Sequence, residues 1–277
     1  MQRDWFEGDV LVNGGAIHYV RTGHGDKPAL VLQHGFSDNA WCWALTAREL
    51  EAEWDVVMPD ARAHGKSARV QPGEQVDQAA DLAGVIEALG LATPERRAVV
   101  AGHSMGAWMA SELGARFPHL VRGIVLEDPP WRAPEGEEVD LTSRENRPNP
   151  LAQWIATMDG MDLDAIVARE RGEHPTWPDE VLRAWCGAKL ELDRAFFAVA
   201  SMGRMDWRAV VQAIQCPTLV IAADPAQGGI VTPEVAAEAQ ALNPLIEVVA
   251  FPGVGHHVRF AVYAPYMEAV TAFLAAL

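Results

Sequence analysis

The sequence predicts an α/β fold: a mostly parallel, twisted sheet flanked by helices and interrupted once by an all-helical insertion. Three observations predict it. Short runs of β-branched and aliphatic residues alternate with longer segments of spaced apolar positions. The short runs are almost continuously hydrophobic, the pattern of strands covered on both faces. Between residues 131 and 208 the β-rich runs stop, and a helical, tryptophan-rich stretch replaces them.

The elements follow in order. Val10-Leu11-Val12 and Ala16-Ile17-His18-Tyr19-Val20 flank Asn13-Gly14, a pair suited to a two-residue hairpin turn. Ala29–Gln33 reads as a buried strand ending at His34-Gly35, and Val56–Met58 as one ending at Pro59-Asp60. Ala98–Ala101 ends at Gly102, and Gly123–Leu126 ends at Glu127-Asp128-Pro129-Pro130. Thr218–Ala222 and Ile246–Ala250 come late. Apolar spacing predicts helices near 40–53, 76–90, 105–117, 233–242 and 261–276. Thr232-Pro233-Glu234 marks one start, a capping hydroxyl followed by a proline where no N–H is needed.

Residues 1–130 and 209–277 are expected to form the sheet core, and 131–208 a cap over its carboxyl edge, where open α/β sheets bind ligands. The cap carries Trp131, Trp154, Trp177, Trp185 and Trp207, together with the charged, proline-rich connection Arg144–Pro150.

Composition narrows the function. With 22 Lys and Arg against 38 Asp and Glu, the chain of 277 residues carries a formal charge of −16. Such a surface repels phosphate backbones and anionic lipid, so neither nucleic acid nor membrane is expected as a partner. No stretch reaches the roughly 18 apolar residues of a spanning helix, and the first residues lack a signal-peptide apolar region. The three cysteines, Cys42, Cys186 and Cys216, are too scattered for a zinc site or a disulfide framework. The expected compartment is the cytoplasm, and the expected state is a monomer or homodimer.

The strongest chemical signal is Gly102-His103-Ser104-Met105-Gly106, between an expected strand and an expected helix. That context makes a GxSxG match a nucleophile elbow. The tight turn exposes the serine at a helix N-terminus, where developing negative charge is favoured. A chance match is the bland alternative, and the strand-to-helix setting argues against it.

With three further segments in order, the chain resembles the α/β-hydrolases with a helical cap over nearly its whole length. His34-Gly35-Phe36 is similar to the loop that supplies an oxyanion donor. Asp60-Ala61-Arg62-Ala63-His64-Gly65-Lys66-Ser67 resembles the family's structural DxRxHGxS turn. Gly253-Val254-Gly255-His256 resembles its catalytic-histidine loop. The resemblance implies Ser104 as nucleophile and His256 as base, with His257 an adjacent alternative. It implies an oxyanion hole from the backbone N–H groups of Phe36 and Met105. A weak alcohol nucleophile needs such a base and such donors. No cofactor and no metal is required.

The acid has two main candidates. Asp128 follows the strand after the elbow, resembling a minority layout of the fold. Asp224 follows the strand Thr218–Ala223, nearer the usual layout, although the usual position falls near Ala226. Asp128 is preferred, with Glu127 a third possibility.

The tryptophans suit a small apolar or aromatic substrate. Trp185, Trp154, Trp177 and Trp131 are the candidate contacts, with His103 beside the serine; packing of the cap is the competing role for each. Phe196, Phe197 and Met202 read as cap packing. The expected reaction is hydrolysis of an ester or lactone through an acyl-enzyme. One alternative is carbon–carbon bond hydrolysis of an aromatic-degradation product, with Arg132, Arg194 or Lys189 meeting a substrate carboxylate. Another is a ligand-binding protein that keeps the fold without turnover.

Overall fold

The computed structural model describes residues 5–71, 73–132, 149–199 and 206–277. Eight strands form one sheet: β1 (Phe6–Val12), β2 (Gly15–Arg21), β3 (Ala29–Gln33), β4 (Asp55–Pro59), β5 (Ala98–His103), β6 (Val121–Glu127), β7 (Thr218–Ala223) and β8 (Ile246–Phe251). Their spatial order is β1-β2-β4-β3-β5-β6-β7-β8, with β1, β2 and the β2–β4 pairing antiparallel and the rest parallel. The expected fold class holds.

The hairpin turns at Asn13-Gly14, where both residues take positive φ (47° and 77°) and Val12 pairs with Gly15. In β3, Ala29 and Val31 enter one core layer while Leu30 and Leu32 enter the other. In β5, Ala98 and Val100 face the first layer and Val99 and Ala101 the second. Alternation with both faces buried is why these strands read as unbroken apolar runs.

The described helices are α1 (Ala44–Leu50), α2 (Gln78–Ala88), α3 (Met105–Arg116), α4 (Pro150–Ala156), α5 (Leu163–Glu173), α6 (Asp179–Glu191), α7 (Phe196–Val199), α8 (Trp207–Ala213), α9 (Pro233–Leu242), α10 (Val258–Ala261) and α11 (Tyr263–Ala275). The apolar pattern expected to make one helix over 40–53 instead forms a 3₁₀ turn at Ala40–Trp43 followed by α1. The terminal helix is likewise split into α10 and α11. Thr232 caps α9 as expected, its Oγ1 accepting the Val235 N–H at 3.3 Å. No described helix is long and apolar enough to cross a membrane.

Helix α3 packs its Ala107, Met109, Ala110 and Leu113 into one layer, and α11 packs Tyr266, Met267, Val270 and Leu274 into the other. Helices α4 to α8 lie between β6 and β7 in sequence. Met158, Ile166, Trp177, Val181, Leu182, Trp185 and Cys186 form their own apolar cluster, closed by Cys42 and Phe260 from outside the insertion. Met202 and the Arg144–Pro148 part of the proline-rich connection lie outside the described residues.

Candidate active site

Ser104 sits at the junction of β5 and α3 with φ 52° and ψ −114°, a left-handed backbone that a non-glycine residue adopts only under constraint. Its N–H donates to the Glu127 carbonyl (2.9 Å), and its own carbonyl accepts the Trp108 N–H (3.0 Å). The flanking glycines are steric necessities. A Cβ at Gly102 would lie 2.2 Å from the Gly106 carbonyl oxygen, and one at Gly106 would lie 2.3 Å from the Gln33 carbonyl oxygen. The turn therefore closes only without side chains there.

Asp128 follows β6 with φ 43° and is fully buried. One carboxylate oxygen accepts His256 Nδ1–H at 2.5 Å. The carboxylate also accepts the N–H groups of Ile230 (2.9 Å to the nearer oxygen) and Val231 (3.1 Å), at the start of the segment leading to α9. An imidazole whose Nδ1–H is held in this way presents Nε2 as the proton acceptor.

Asp224 does something else. It is half-buried, and its oxygens accept the Gly253 and Ala226 N–H groups (2.7 and 2.8 Å), which lower its pKa. It caps the 3₁₀ turn at Pro225–Gln227 and ties down the loop ahead of His256. The Glu127 carboxylate turns onto Arg259. Of the three carboxylates the sequence left open, Asp128 is the one bonded to the His256 ring.

His103 links the elbow to the histidine loop. Its Nε2–H donates to the His256 carbonyl (3.1 Å), and the two rings lie 4.6 Å apart. The strand end bearing Ser104 and the loop bearing His256 are thereby adjacent. His103 is expected from the sequence to touch substrate, but its side chain is only 2% exposed. Its hydrogen bond to the next loop has drawn the ring inward.

Trp131 takes the packing role of the two the sequence allowed. It is completely buried and stacks on Trp207 at 5.7 Å, within the core layer of α3 and α8. The reason is position: it follows the Pro129-Pro130 turn directly and so packs with Trp207, at the start of α8, into the core layer of the sheet. Trp131→Ala is expected to destabilise the fold by about 3–5 kcal/mol while leaving the KM of the folded fraction unchanged, as calorimetry and kinetics would show.

Trp154, Trp177 and Trp185 cluster in the inserted helices, beside the residue that follows the candidate base. Trp154 and Trp185 lie 5.5 Å apart, and Trp177 and Trp185 lie 5.3 Å apart, centre to centre. Trp177 lies 5.3 Å and Trp185 5.9 Å from His257, the residue after His256. Phe36, after β3, packs its ring on Phe196 (5.4 Å) and Phe197 (5.1 Å) of α7 and on His64 (5.7 Å). The Met105 side chain goes into the core layer of α3.

Two charged groups near the site, Asp38 and Arg259, carry no obvious sequence signal. Asp38, His103 and His257 bring one potential ligand atom each within 4.8 Å of one another. Lys189 Nζ stands 2.7 Å from Asp38 Oδ1, and Arg259 Nη2 stands 3.8 Å from Asp38 Oδ2. Two fixed cations on the only carboxylate make this a poor cation site. Burial beside Lys189 leaves Asp38 charged, its pKa held well below the usual carboxylate range against the cost of burial.

Burial pushes the pKa values of His34, His103 and His257 down, and that of His64 down to about 3. The folded chain therefore binds fewer imidazole protons than the unfolded chain, whose histidines titrate near 6.5. Their contribution to stability is complete above about pH 6.5 and declines below it. The melting temperature is expected to fall as the pH drops from about 7 to about 5; a flat profile would contradict neutral burial of these rings.

The chain matches the alpha/beta hydrolase family over residues 30–273. The chain belongs to that family. This alpha/beta hydrolase is 31% identical over 259 residues to N-formylmaleamate deformylase of Pseudomonas putida, spanning 90% of this chain and 89% of the relative. It is 26% identical over 261 residues to 2-(acetamidomethylene)succinate hydrolase of Mesorhizobium japonicum, spanning 90% and 89%. The solved structure of an E-2-(acetamidomethylene)succinate hydrolase superposes with a TM-score of 0.78 at 22% identity, covering 98% of this chain and 99% of that one. An enol-lactonase from Burkholderia xenovorans LB400 gives 0.75 at 23%, covering 97% and 100%. These likenesses support hydrolase activity for this member of the family.

Proposed function

We propose that this alpha/beta hydrolase is a serine hydrolase that cleaves a small acyl compound through an acyl-enzyme. Ser104 is the nucleophile, His256 the base that takes its proton, and Asp128 the acid that orients the imidazole. The backbone N–H groups of Phe36 and Met105 stabilise the oxyanion. The observation that carries this reading is the 2.5 Å bond between His256 Nδ1 and Asp128, on the sheet edge that also bears the elbow.

The steps follow from ordinary acyl-transfer chemistry. His256 Nε2 accepts the Ser104 hydroxyl proton as Oγ attacks the carbonyl carbon. Negative charge moves to the carbonyl oxygen, where two preorganised N–H donors meet it. The imidazolium then protonates the leaving group. Water, deprotonated by the same ring, releases the acid and regenerates Ser104. Asp128 keeps its hold on Nδ1 throughout and stabilises the imidazolium.

Esters and lactones are the bond class expected from the sequence. A second reading, hydrolysis of an N-acyl bond, is favoured by the substrates in the names of the two relatives, N-formylmaleamate and 2-(acetamidomethylene)succinate. The helices inserted after residue 131 serve as the cap, with Trp177 and Trp185 packed on His257, next to the base in the chain. For a carboxylate-bearing substrate, two of the three nominated cations are already engaged. Lys189 is bonded to Asp38, and Arg194 is bonded to Asp159 at 2.6 Å. Arg132, exposed after the β6 turn, is the one with no such partner in the described residues.

A hydrolysis screen over p-nitrophenyl esters, lactones, N-formyl and N-acetyl amides and ring-cleavage dienes tests the bond class. The highest kcat/KM is expected on an ester, lactone or N-acyl compound. Preference for the dienes would overturn the assignment in favour of carbon–carbon cleavage.

A further inference from the structure

Four charged side chains lie beneath the candidate triad, each no more than 1% exposed: Glu127, Arg259, Asp38 and Lys189. Their signs alternate. Arg259 Nη1 donates to Glu127 Oε2 at 2.7 Å, and Arg259 Nη2 lies 3.8 Å from Asp38 Oδ2. Lys189 Nζ donates to Asp38 Oδ1 at 2.7 Å. The run starts at the end of β6 and finishes on α6, in the helices inserted after β6.

Stability does not explain this arrangement. Burying charges carries a desolvation cost that good pairing only offsets, and apolar replacements of similar shape are commonly as stable. What distinguishes the four is their grip on backbone. Glu127 Oε1 accepts the Arg259 N–H (2.9 Å), fixing the chain just after His256. The Glu127 carbonyl accepts the Ser104 N–H, and Asp128 is its chain neighbour. One residue thus touches the segments that carry all three triad members. At the other end, Lys189 Nζ donates to the Ser37 carbonyl at 3.0 Å, beside Phe36.

The backbone at these points needs holding. Ser37, Ser104 and Asp128 all take positive φ (64°, 52° and 43°) without being glycine. Such conformations persist only where the surroundings over-determine them.

We infer that Glu127, Arg259, Asp38 and Lys189 form a buried ladder of positioning residues, which couples the inserted helices to the geometry of the triad and of the Phe36 oxyanion loop. No rung touches substrate. Lys189 acts through Ser37 and Asp38, and the Glu127 carboxylate acts through the Arg259 amide and guanidinium. The inference rests on Ser104 being the nucleophile proposed above.

The test is the second-order rate at which an alkyl fluorophosphonate phosphonylates Ser104, measured beside the melting temperature of each protein. Lys189→Met alone takes the nearer cation from the Asp38 carboxylate, leaving it beside Arg259 and the His103 ring, and is expected to lose both stability and rate. The paired variant Asp38→Asn with Lys189→Met removes both charges. It is expected to regain the melting temperature but to remain about 10²-fold slow, because the Ser37 carbonyl still lacks its donor. Asp38→Asn with Lys189→Gln keeps a neutral donor in that place and is expected to return within about tenfold of wild type. Wild-type rate in the Asn/Met protein, or rates that simply follow melting temperature, would overturn the ladder as a positioning device. A wild-type protein that takes no label would instead overturn the serine-hydrolase reading on which it rests.

Discussion

The Ser104→Ala protein is expected to fold like wild type and to lose on the order of 10⁶-fold in kcat on the best substrate. The side chain makes no capping hydrogen bond to α3, so its removal takes away only the reacting oxygen. The elbow is held by other contacts. Gly102 and Gly106 still allow the close strand–helix approach, and the residue-104 amide still donates to the Glu127 carbonyl. The residual rate reports binding and the oxyanion donors, which together retain some acceleration over water without the nucleophile. Melting temperature and kcat together check this: an active, folded Ala variant would remove Ser104 from the chemistry.

The second large effect belongs to the acid. Asp128→Asn is expected to lower kcat about 10⁴-fold with little change in KM. Asparagine can still accept from the Ile230 and Val231 amides. Its NH₂ group, however, would then face His256 Nδ1 and favour the tautomer with the proton on Nε2, which cannot serve as a base. Asp224→Asn should cost less than about tenfold, since that side chain caps a turn and braces Gly253 rather than meeting the ring. The reverse ranking would transfer the role of acid to Asp224.

These assignments were legible in the sequence to different depths. The elbow was fully legible, because its glycines, its serine and its strand-to-helix setting are all local. The choice between Asp128 and Asp224 was not. It depends on how the ends of β6 and β7 aim their side chains at a loop far along the chain, and spacing carries no such information. Trp131 shows a different gap. A buried core position and an aromatic pocket both call for a large apolar side chain, so residue type alone cannot separate them. Asp38 and Arg259 were silent for a third reason. Each neighbours a recognisable motif, yet its partners come from distant segments, Lys189 for one and Glu127 for the other. A charge destined for burial looks in sequence like any exposed one.

The proposed chemistry requires Ser104 to be an activated nucleophile in the folded protein. The most direct measurement is peptide mapping by mass spectrometry after treatment with a fluorophosphonate. The predicted result is a single phosphonyl adduct on the peptide that carries Ser104, absent when His256 is replaced by alanine. An unmodified Ser104 in the natively folded protein would contradict it.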